Sequence, residues 1–257
     1  MPKMKLLEFP ELQEGILVKR YKRFLADVEL TSGELVTAHC ANTGPMKGIL
    51  NLGGRVRLRY CPSPTRKLSW SWEQAEVLSK DHKSCWVGIN TSLPNKLIKL
   101  VVEAGLLEED LGHISKIRSE VRYGINNRSR IDLFLTPSVS NKDSRVIYLE
   151  VKNTTWTNNS VGLFPDTVTK RGQKHLQELI EVLPQQRAVL VPCISRKDVV
   201  EFTTGDKADP EYGQLFRQAV KSGLEVIPCC FGFNKDHITW EGKRPVKQTS
   251  NDLQMNL

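Results

Sequence analysis

The segment "SRIDLFLTPSVSNKDSRVIYLEVK", Ser129 to Lys152, contains two alternating apolar stretches separated by a polar linker. Side chains alternate between the two faces of a strand, so Asp132 lies on one face of the first stretch, and Glu150 and Lys152 share one face of the second. The linker is rich in Pro, Ser, Asn and Asp, which favour turns. The segment therefore predicts an antiparallel hairpin with charge on one face of each strand.

The register of this hairpin determines which charged side chains meet. If the loop is centred near Asn141, Asp132 lies opposite Glu150 and Phe134 lies opposite Tyr148. Directly opposed residues have Cβ atoms about 4.5 to 5.5 Å apart, close enough for two carboxylates to bind one cation. Mg²⁺ prefers oxygen ligands and usually keeps several waters. We therefore predict a Mg²⁺ or Mn²⁺ site at Asp132 and Glu150.

Lys152 projects from the same face as Glu150. Its ammonium group could orient a metal-bound water and stabilise negative charge that develops on a phosphate. The alternative is an ordinary cross-strand ion-pair network, which the spacing of Glu150 and Lys152 alone would favour. Asp132 lies at the spacing expected for the opposite strand of a hairpin, and the protein is basic. With these two observations, the metal site and the ion-pair network are about equally favoured.

The charge of the chain suggests an anionic partner. The 257 residues carry a net charge of +8 and have a pI near 9.2, which is typical of, but not specific to, nucleic-acid-binding proteins. The excess is larger in the first 80 residues, with 13 basic and 8 acidic side chains. From Gly15 to about Lys80, short alternating apolar stretches separated by turns predict a small antiparallel barrel.

Two basic segments in this barrel predict a nucleic-acid surface. In "GGRVRLRY" the arginines share one strand face, and "KRYKRF" begins at Lys19. The predicted phosphate-binding residues are Lys19, Arg20, Lys22, Arg23, Arg55, Arg57 and Arg59. Trp70 and Trp72 follow and could stack on bases. The alternative is a solvated outer face over a core that contains both tryptophans.

Beyond Asp81, helical and strand patterns alternate. Helices are predicted over "LPNKLIKLVVEAG", over "LGHISKIRSEV", from about Lys170 to Leu183 and near Tyr212 to Ser222. Apolar strands lie between them, which predicts an α/β sandwich around a mixed sheet.

Several classes of protein are disfavoured by the sequence. The six cysteines form no CxxC pair, so neither a zinc site nor a disulfide framework is indicated, and we expect reduced thiols. No window approaches the roughly 18 apolar residues of a membrane span, and the N-terminus has no apolar signal core, so a cytoplasmic location is expected. The polar segment "KQTSNDLQMNL", residues 247–257, is predicted to be a disordered tail.

The chain resembles the sugar fermentation stimulation protein family. The motifs that carry the resemblance are "RYKRFLADV", "HCANTG", "SEVRYG", "SRIDLFL", "YLEVKNTT", "GLFPDTVTKRGQKHLQEL" and "DPEYGQLFRQAV", which occur in this order over almost the whole chain. The resemblance implies an N-terminal OB-like nucleic-acid-binding β-barrel at residues 1–82. A PD-(D/E)xK nuclease-like α/β domain with a mixed central sheet would follow at residues 83–246.

The resemblance also implies roles for particular residues. Asp132 matches the first acidic ligand of the nuclease pattern, and Glu150 and Lys152 match its ExK pair. Ile131 replaces the nominal proline, which weakens the motif as support for activity but not for the fold.

Further site residues are implied less directly. Glu120, in "SEVRYG" on the predicted preceding helix, would fit the additional acid that some such enzymes use. Gln173 resembles a helix glutamine that neighbours the metal in some nucleases, but the favoured alternative is an ordinary polar residue of the first helical turn. His175 and Asp166 are weaker candidates.

Two functions are consistent with these residues. The first is a nucleic-acid-binding protein, with DNA favoured, that hydrolyses phosphodiesters with a divalent metal. The second is a DNA-binding regulatory protein of sugar (maltose) metabolism without significant turnover. A pure interaction scaffold is weaker because it leaves the carboxylate pair unexplained. No helix-turn-helix or zinc finger is readable, so weak sequence specificity is expected. The oligomeric state stays open.

Overall fold

The computed structural model describes residues 4–79, 81–124, 128–183 and 185–247. The strands are β1 (Met4–Glu8), β2 (Leu12–Tyr21), β3 (Leu25–Leu30), β4 (Leu35–His39), β5 (Arg55–Tyr60), β6 (Trp70–Leu78), β7 (Ser84–Gly88), β8 (Ile114–Tyr123), β9 (Ser129–Pro137), β10 (Ile147–Thr154), β11 (Trp156–Asn158), β12 (Val161–Phe164), β13 (Arg187–Ile194), β14 (Glu201–Thr204), β15 (Glu225–Val226), β16 (Cys229–Phe233) and β17 (His237–Lys243). The helices are α1 (Leu93–Glu103), α2 (Glu108–Leu111), α3 (Lys170–Val182) and α4 (Pro210–Lys221). The predicted fold class, a barrel followed by an α/β domain, is confirmed.

The N-terminal sheet has six strands in the order β4-β3-β2-β5-β6-β7, and a further pairing of β4 with β6 closes it into a barrel. Its interior is apolar, with Leu17, Val28, Val56, Leu58 and Trp72 each 1% exposed or less. Every second residue of a strand points inward, which is why the short alternating stretches of the sequence form this barrel.

Two strands pair with the sheet on the other side of the predicted domain boundary at residue 82. β7 completes the barrel sheet although it follows the boundary, and β1 pairs with β17 in the second sheet although it precedes it. The two parts are joined by direct hydrogen bonds. Gly88 N donates to Ser195 O at 2.9 Å, and Gln74 Nε2 donates to Asn234 O at 2.7 Å. The barrel and the second sheet are thus packed against each other.

The second sheet is mixed and has the order β1-β17-β16-β13-β10-β9-β8, with β15 added beside β13. β10 and β13 are parallel, whereas β9 and β10 are antiparallel. α1 covers one face with Leu97, Ile98 and Val101, and α3 covers the other with Leu176 and Leu179. Burial on both faces explains the nearly continuous apolar runs in the central strands.

The helix predicted over "LGHISKIRSEV" is wrong. A short helix ends at Leu111, and the rest of this segment forms β8, paired with β9 at one edge of the sheet. A bulge between Ile114 and Lys116 and a positive φ at Glu120 each shift the strand alternation. Ile114, Ile117 and Val121 are the partly buried aliphatic residues of β8, and their intervals of three and four imitate helical spacing.

The other predicted helices are confirmed within a few residues. α1 has Pro94 in its first turn and is followed by Gly105 at φ +69°. α3 begins after Thr169, whose side chain accepts a hydrogen bond from Gly172 N, and α4 begins after Asp209, which accepts from Tyr212 N. These caps satisfy amide groups that the first helical turn leaves without a partner.

Three smaller predictions have different outcomes. All six cysteines are free thiols and five are buried. Within the described ranges, no helix has the length and apolar character needed to cross a bilayer. Of the predicted tail, only Lys247 is described, and its Nζ lies 2.8 Å from Glu201 Oε1. Residues 248–257 lie outside the described residues.

Candidate active site

The predicted hairpin register is confirmed around the two carboxylates. β9 and β10 pair Leu135 with Ile147, Phe134 with Tyr148 and Leu133 with Leu149. The next positions in this register are Asp132 and Glu150, where the main-chain ladder ends.

The side chain of Asp132 continues the strand pairing beyond that point. Its Oδ2 accepts a hydrogen bond from Val151 N at 2.7 Å, and its Oδ1 accepts one from Asn95 Nδ2 of α1 at 2.8 Å. A buried amide without a partner would be costly, so Asp132 both satisfies β10 and is held at a fixed position. One lone pair on each oxygen is left for a ligand.

Glu150 lies at the centre of a buried cluster. It is 2% exposed, and its Oε1 contacts both Lys152 Nζ, at 2.6 Å, and His175 Nδ1. Lys152 Nζ also lies 3.3 Å from His175 Nδ1, and Arg171 Nε lies 3.4 Å from His175 Nε2. α3 thus brings a histidine to the ExK pair of β10.

The electrostatics of the two carboxylates differ. Burial and the neighbouring charge of Glu150 raise the pKa of Asp132 to about 6. Burial also opposes ionisation of Glu150, but Lys152 and His175 outweigh it and hold the pKa of Glu150 below its ordinary value. Glu150 is therefore the permanent anion of the pair, and Asp132 is the carboxylate whose charge the site tolerates poorly without a cation.

A divalent cation fits these residues. Glu150 Oε2 is buried and has no hydrogen-bond partner among the described residues, and a buried acceptor without a partner is a costly feature that a bound ion would relieve. Among the described ranges, no group of three or more His, Cys, Asp or Glu side chains is arranged to hold a metal. Asp132 and Glu150 would therefore need main-chain carbonyls and water to complete an oxygen shell, which suits Mg²⁺ or Mn²⁺.

The raised pKa of Asp132 predicts a pH-dependent stability of the metal-free protein. Because the folded state has the higher pKa, its free energy of unfolding should decrease as pH rises from the ordinary value of 3.8 towards about 6. Asp132→Asn removes this cost, so the variant should exceed the wild type by about 1 to 3 kcal/mol near neutral pH and lose that advantage near pH 4. Urea unfolding in chelator at both pH values measures the difference. An advantage of equal size at both would contradict the prediction.

Glu120 and Gln173 are not placed as the resemblance implied. Glu120 lies on β8 rather than on a helix, and it is exposed, between the pairs Ser119–Leu133 and Val121–Ile131. Gln173 is buried in the first turn of α3, where its Nε2 donates to Asp209 Oδ1 at 2.9 Å. Gln173 thus ties α3 to the start of α4, and its place beside a metal stays a prediction.

The arginines of β5 are paired with carboxylates. Arg55 Nη2 lies 2.7 Å from Glu14 Oε2, Arg57 Nη2 lies 2.9 Å from Glu14 Oε1, and Arg59 Nε lies 2.8 Å from Glu73 Oε1. The three share one face as predicted, but only the side chain of Arg55 is half exposed. Their role as phosphate ligands stays a prediction, which this pairing weakens.

The "KRYKRF" segment is partly structural. Arg20 Nη2 donates to Asn42 O at 2.8 Å and to Gly44 O at 3.0 Å. Arg23 Nε donates to Thr43 O at 3.1 Å, whereas Lys19 lies over the ring of Tyr21. These arginines hold the loop after β4, and Lys22 is exposed at the turn between β2 and β3.

Arg57 should matter more for stability than for binding. Its guanidinium lies 3.7 Å from the ring centre of Trp86, and its side chain is 11% exposed. Arg57→Ala leaves Glu14 without its inner partner and should lower the free energy of unfolding by about 2 to 4 kcal/mol. Arg55→Ala, at a half-exposed site, should cost less than about 1 kcal/mol. Urea unfolding compares the two.

The same pair of variants tests the phosphate-binding prediction. Removal of each arginine that binds a phosphate should reduce the log-log salt dependence of nucleic-acid binding by roughly 0.7 to 0.9. A folded Arg55→Ala variant with an unchanged slope would place the binding surface elsewhere.

Asn95 is a site residue that no pattern in the sequence indicates. It lies in the first turn of α1 and reaches Asp132 across 37 positions of sequence. No pattern within one segment could link the two residues.

His175 is a site residue to which the sequence gives little weight. It follows Lys152 by 23 positions, so no local spacing connects the two. The sequence feature that could have identified His175 as a site residue is its position on α3, directly before the buried Leu176. Leu176 belongs to the same apolar cluster as Tyr148, which shares a face of β10 with Glu150. A polar side chain next to Leu176 can therefore reach the charged end of that face.

Comparison with known proteins matches both parts of the chain. The family description "Sugar fermentation stimulation protein RE domain" matches residues 92–237, and "SfsA N-terminal OB domain" matches residues 18–89. A sugar fermentation stimulation protein homolog of Synechococcus sp. (strain CC9902) is 65% identical over 248 residues, which cover 96% of this chain and 100% of the relative. One of Prochlorococcus marinus (strain MIT 9303) is 68% identical over 244 residues, covering 95% and 94%.

A solved structure has the same fold. The structure of Pyrococcus furiosus SfsA in complex with Ca²⁺ superposes with a TM-score of 0.80 at 25% sequence identity, covering 95% of this chain and 100% of that one.

Proposed function

The chain belongs to the sugar fermentation stimulation protein family, and from this premise we propose that it binds nucleic acid and hydrolyses phosphodiester bonds at Asp132 and Glu150 with a divalent metal ion. One observation carries the proposal: the buried Oε2 of Glu150, which has no hydrogen-bond partner in the described part of the chain, lies beside a carboxylate whose pKa is raised. The Pyrococcus furiosus SfsA in complex with Ca²⁺ supports a cation site in this fold.

The side chains of the site have separable roles. Asn95 and the amide of Val151 hold Asp132, while His175 and Lys152 hold Oε1 of Glu150, so both carboxylates are positioned before any ligand arrives. A divalent cation bound to them would supply Lewis acidity towards water and neutralise phosphate charge. The ammonium of Lys152 would then stabilise negative charge on the phosphate as it is attacked.

The most direct test is incubation of the purified protein with single- and double-stranded DNA and RNA, in Mg²⁺ or Mn²⁺ and in chelator. The proposal expects cleavage that requires metal and disappears with chelator. Cleavage that survives chelator would place the activity outside this site.

The second candidate is a DNA-binding regulatory protein without turnover. The ion pairs of Lys152 and His175 with Glu150 favour it, since these contacts stabilise the charge at Oε1 of Glu150 without a metal. Binding without cleavage of any substrate, and without measurable affinity for Mn²⁺, would establish this candidate in place of the nuclease.

A further inference from the structure

A cleft of about 770 Å³ lies at one end of the barrel, next to the start of α1. It lies between the β2–β3 turn, the loop from β5 to β6 and the segment that leads into α1. Its volume is within the range of about 300 to 1,000 Å³ of typical ligand pockets. Asp132 and Glu150 do not line the cleft, and of the three β5 arginines it includes Arg59 but not Arg55 or Arg57.

The walls of the cleft are cationic. Arg59, Arg66 and Lys67 line it, and no acidic residue of the described chain does. Arg59 is already paired with Glu73, whereas the Arg66 side chain donates, among the described residues, only to the neutral hydroxyl of Ser71, at 2.8 Å. In the described part of the chain Lys67 has no hydrogen bond or ion pair through its side chain. Arg66 and Lys67, both exposed, therefore carry charge that no described carboxylate neutralises.

Aromatic and apolar side chains complete the cleft. Phe24 lines it and is 44% exposed, an unusual state for so large an apolar ring, while the fully buried Trp72 contributes to its floor. His39 lines the same cleft and is exposed. Exposed rings beside unpaired cations are the combination on which proteins bind single-stranded nucleic acid, with bases stacked on the rings and phosphates on the cations.

The cleft adjoins the carboxylate site through α1. Asn90 and Ser92 line it, and Asn90 is held to the barrel because its Nδ2 donates to Glu73 Oε2 at 2.8 Å. Ser92 precedes α1, and three residues later Asn95 donates to Asp132. Three residues of helix advance by about 4.5 Å, so one strand of nucleic acid can span both places.

We propose that this cleft binds an unstacked nucleobase of a single-stranded nucleic acid, with the flanking phosphates on Arg66 and Lys67, next to the bond that Asp132 and Glu150 cleave. The proposal rests on the function proposed above and specifies its substrate class. A base inside a duplex remains stacked and paired, so it would have to be extruded to reach the cleft. Single strands should therefore bind more tightly than duplexes of the same sequence.

The test is fluorescence anisotropy of the full chain with a short labelled oligo(dT) strand and with a duplex of equal length, in chelator to prevent cleavage. Phe24→Ala should weaken single-strand binding about tenfold without changing its salt dependence. The double variant Arg66→Ala, Lys67→Ala should weaken it and reduce the log-log salt slope by about 1.4, or 0.7 for each phosphate. Lys142→Ala, an exposed lysine on the β9–β10 loop, is the matched control and should bind as the wild type does.

The outcomes separate the two proposals. Cleft variants that bind like the wild type, or a wild type that prefers the duplex, would overturn the cleft proposal while metal-dependent cleavage could still stand. A wild type that binds neither form would overturn both. Phe24, Arg66 and Lys67 are exposed, so their variants should unfold at the wild-type temperature, and a thermal melt checks this.

Discussion

Asp132→Asn should lower the affinity for Mn²⁺ by at least about 100-fold and reduce cleavage to background. Asparagine keeps the shape of the side chain and can still accept the hydrogen bond from Val151, so the strand pairing should survive. The variant removes one of the two negative charges that the cation requires. Nucleic-acid binding through the barrel should persist, and could strengthen in chelator because the negative charge near the phosphate path is removed.

Titration calorimetry with Mn²⁺ and cleavage of a labelled strand measure the two effects. Asp143→Asn is the matched control, since Asp143 lies on the loop of the same hairpin, where it pairs with Arg145. It should leave both quantities unchanged. If the wild type binds Mn²⁺ no better than Asp132→Asn, the carboxylates form only a structural network and the nuclease proposal fails.

Lys152→Ala should separate metal binding from hydrolysis. The ammonium group lies 2.6 Å from Glu150 Oε1 and would repel a cation bound to the same carboxylate. The variant should therefore bind Mn²⁺ at least as tightly as the wild type. Cleavage should nevertheless fall by about 100- to 1,000-fold, because the charge that develops on the phosphate loses its partner.

A loss of stability could imitate this result, since removing one member of a buried ion pair can be strongly destabilising. Lys152→Met keeps the aliphatic stem and provides a second variant, and unfolding in Mn²⁺ shows whether each is folded at the assay temperature. Lys170→Ala removes an exposed lysine paired with Glu211 and should have no effect. Loss of Mn²⁺ binding in both Lys152 variants would mean that this lysine organises the metal site instead of acting on the substrate.

Local patterns were sufficient for most of the fold. The alternation in β9 and β10, with a turn-forming linker, predicted the pairing of Phe134 with Tyr148 because a shift by one residue would have turned every apolar side chain to the wrong face. α3 and α4 lie within a few residues of their predicted positions, and each buries one apolar face. The carboxylate pair followed from the same register, since opposed residues in a hairpin are necessarily close.

Interactions between distant segments decided the rest. β8 imitates a helix in sequence because its bulge and the positive φ at Glu120 move the inward positions, and only pairing with β9 shows that it is a strand. The arginines of β5 were predicted to bind phosphates because no acidic partner is evident nearby in the sequence. Glu14 and Glu73, which pair with them, lie on other strands.

The candidate site also combines residues predicted from local patterns with residues placed by contacts between distant segments. The local apolar pattern was enough to predict that Asp132, Glu150 and Lys152 converge, because all three lie on one short hairpin whose register that pattern specifies. Only the tertiary structure brought Asn95 to Asp132 and His175 to Glu150, since these contacts depend on how α1 and α3 pack against the sheet. Helix packing is set by the whole buried interface, and no spacing within one segment encodes it.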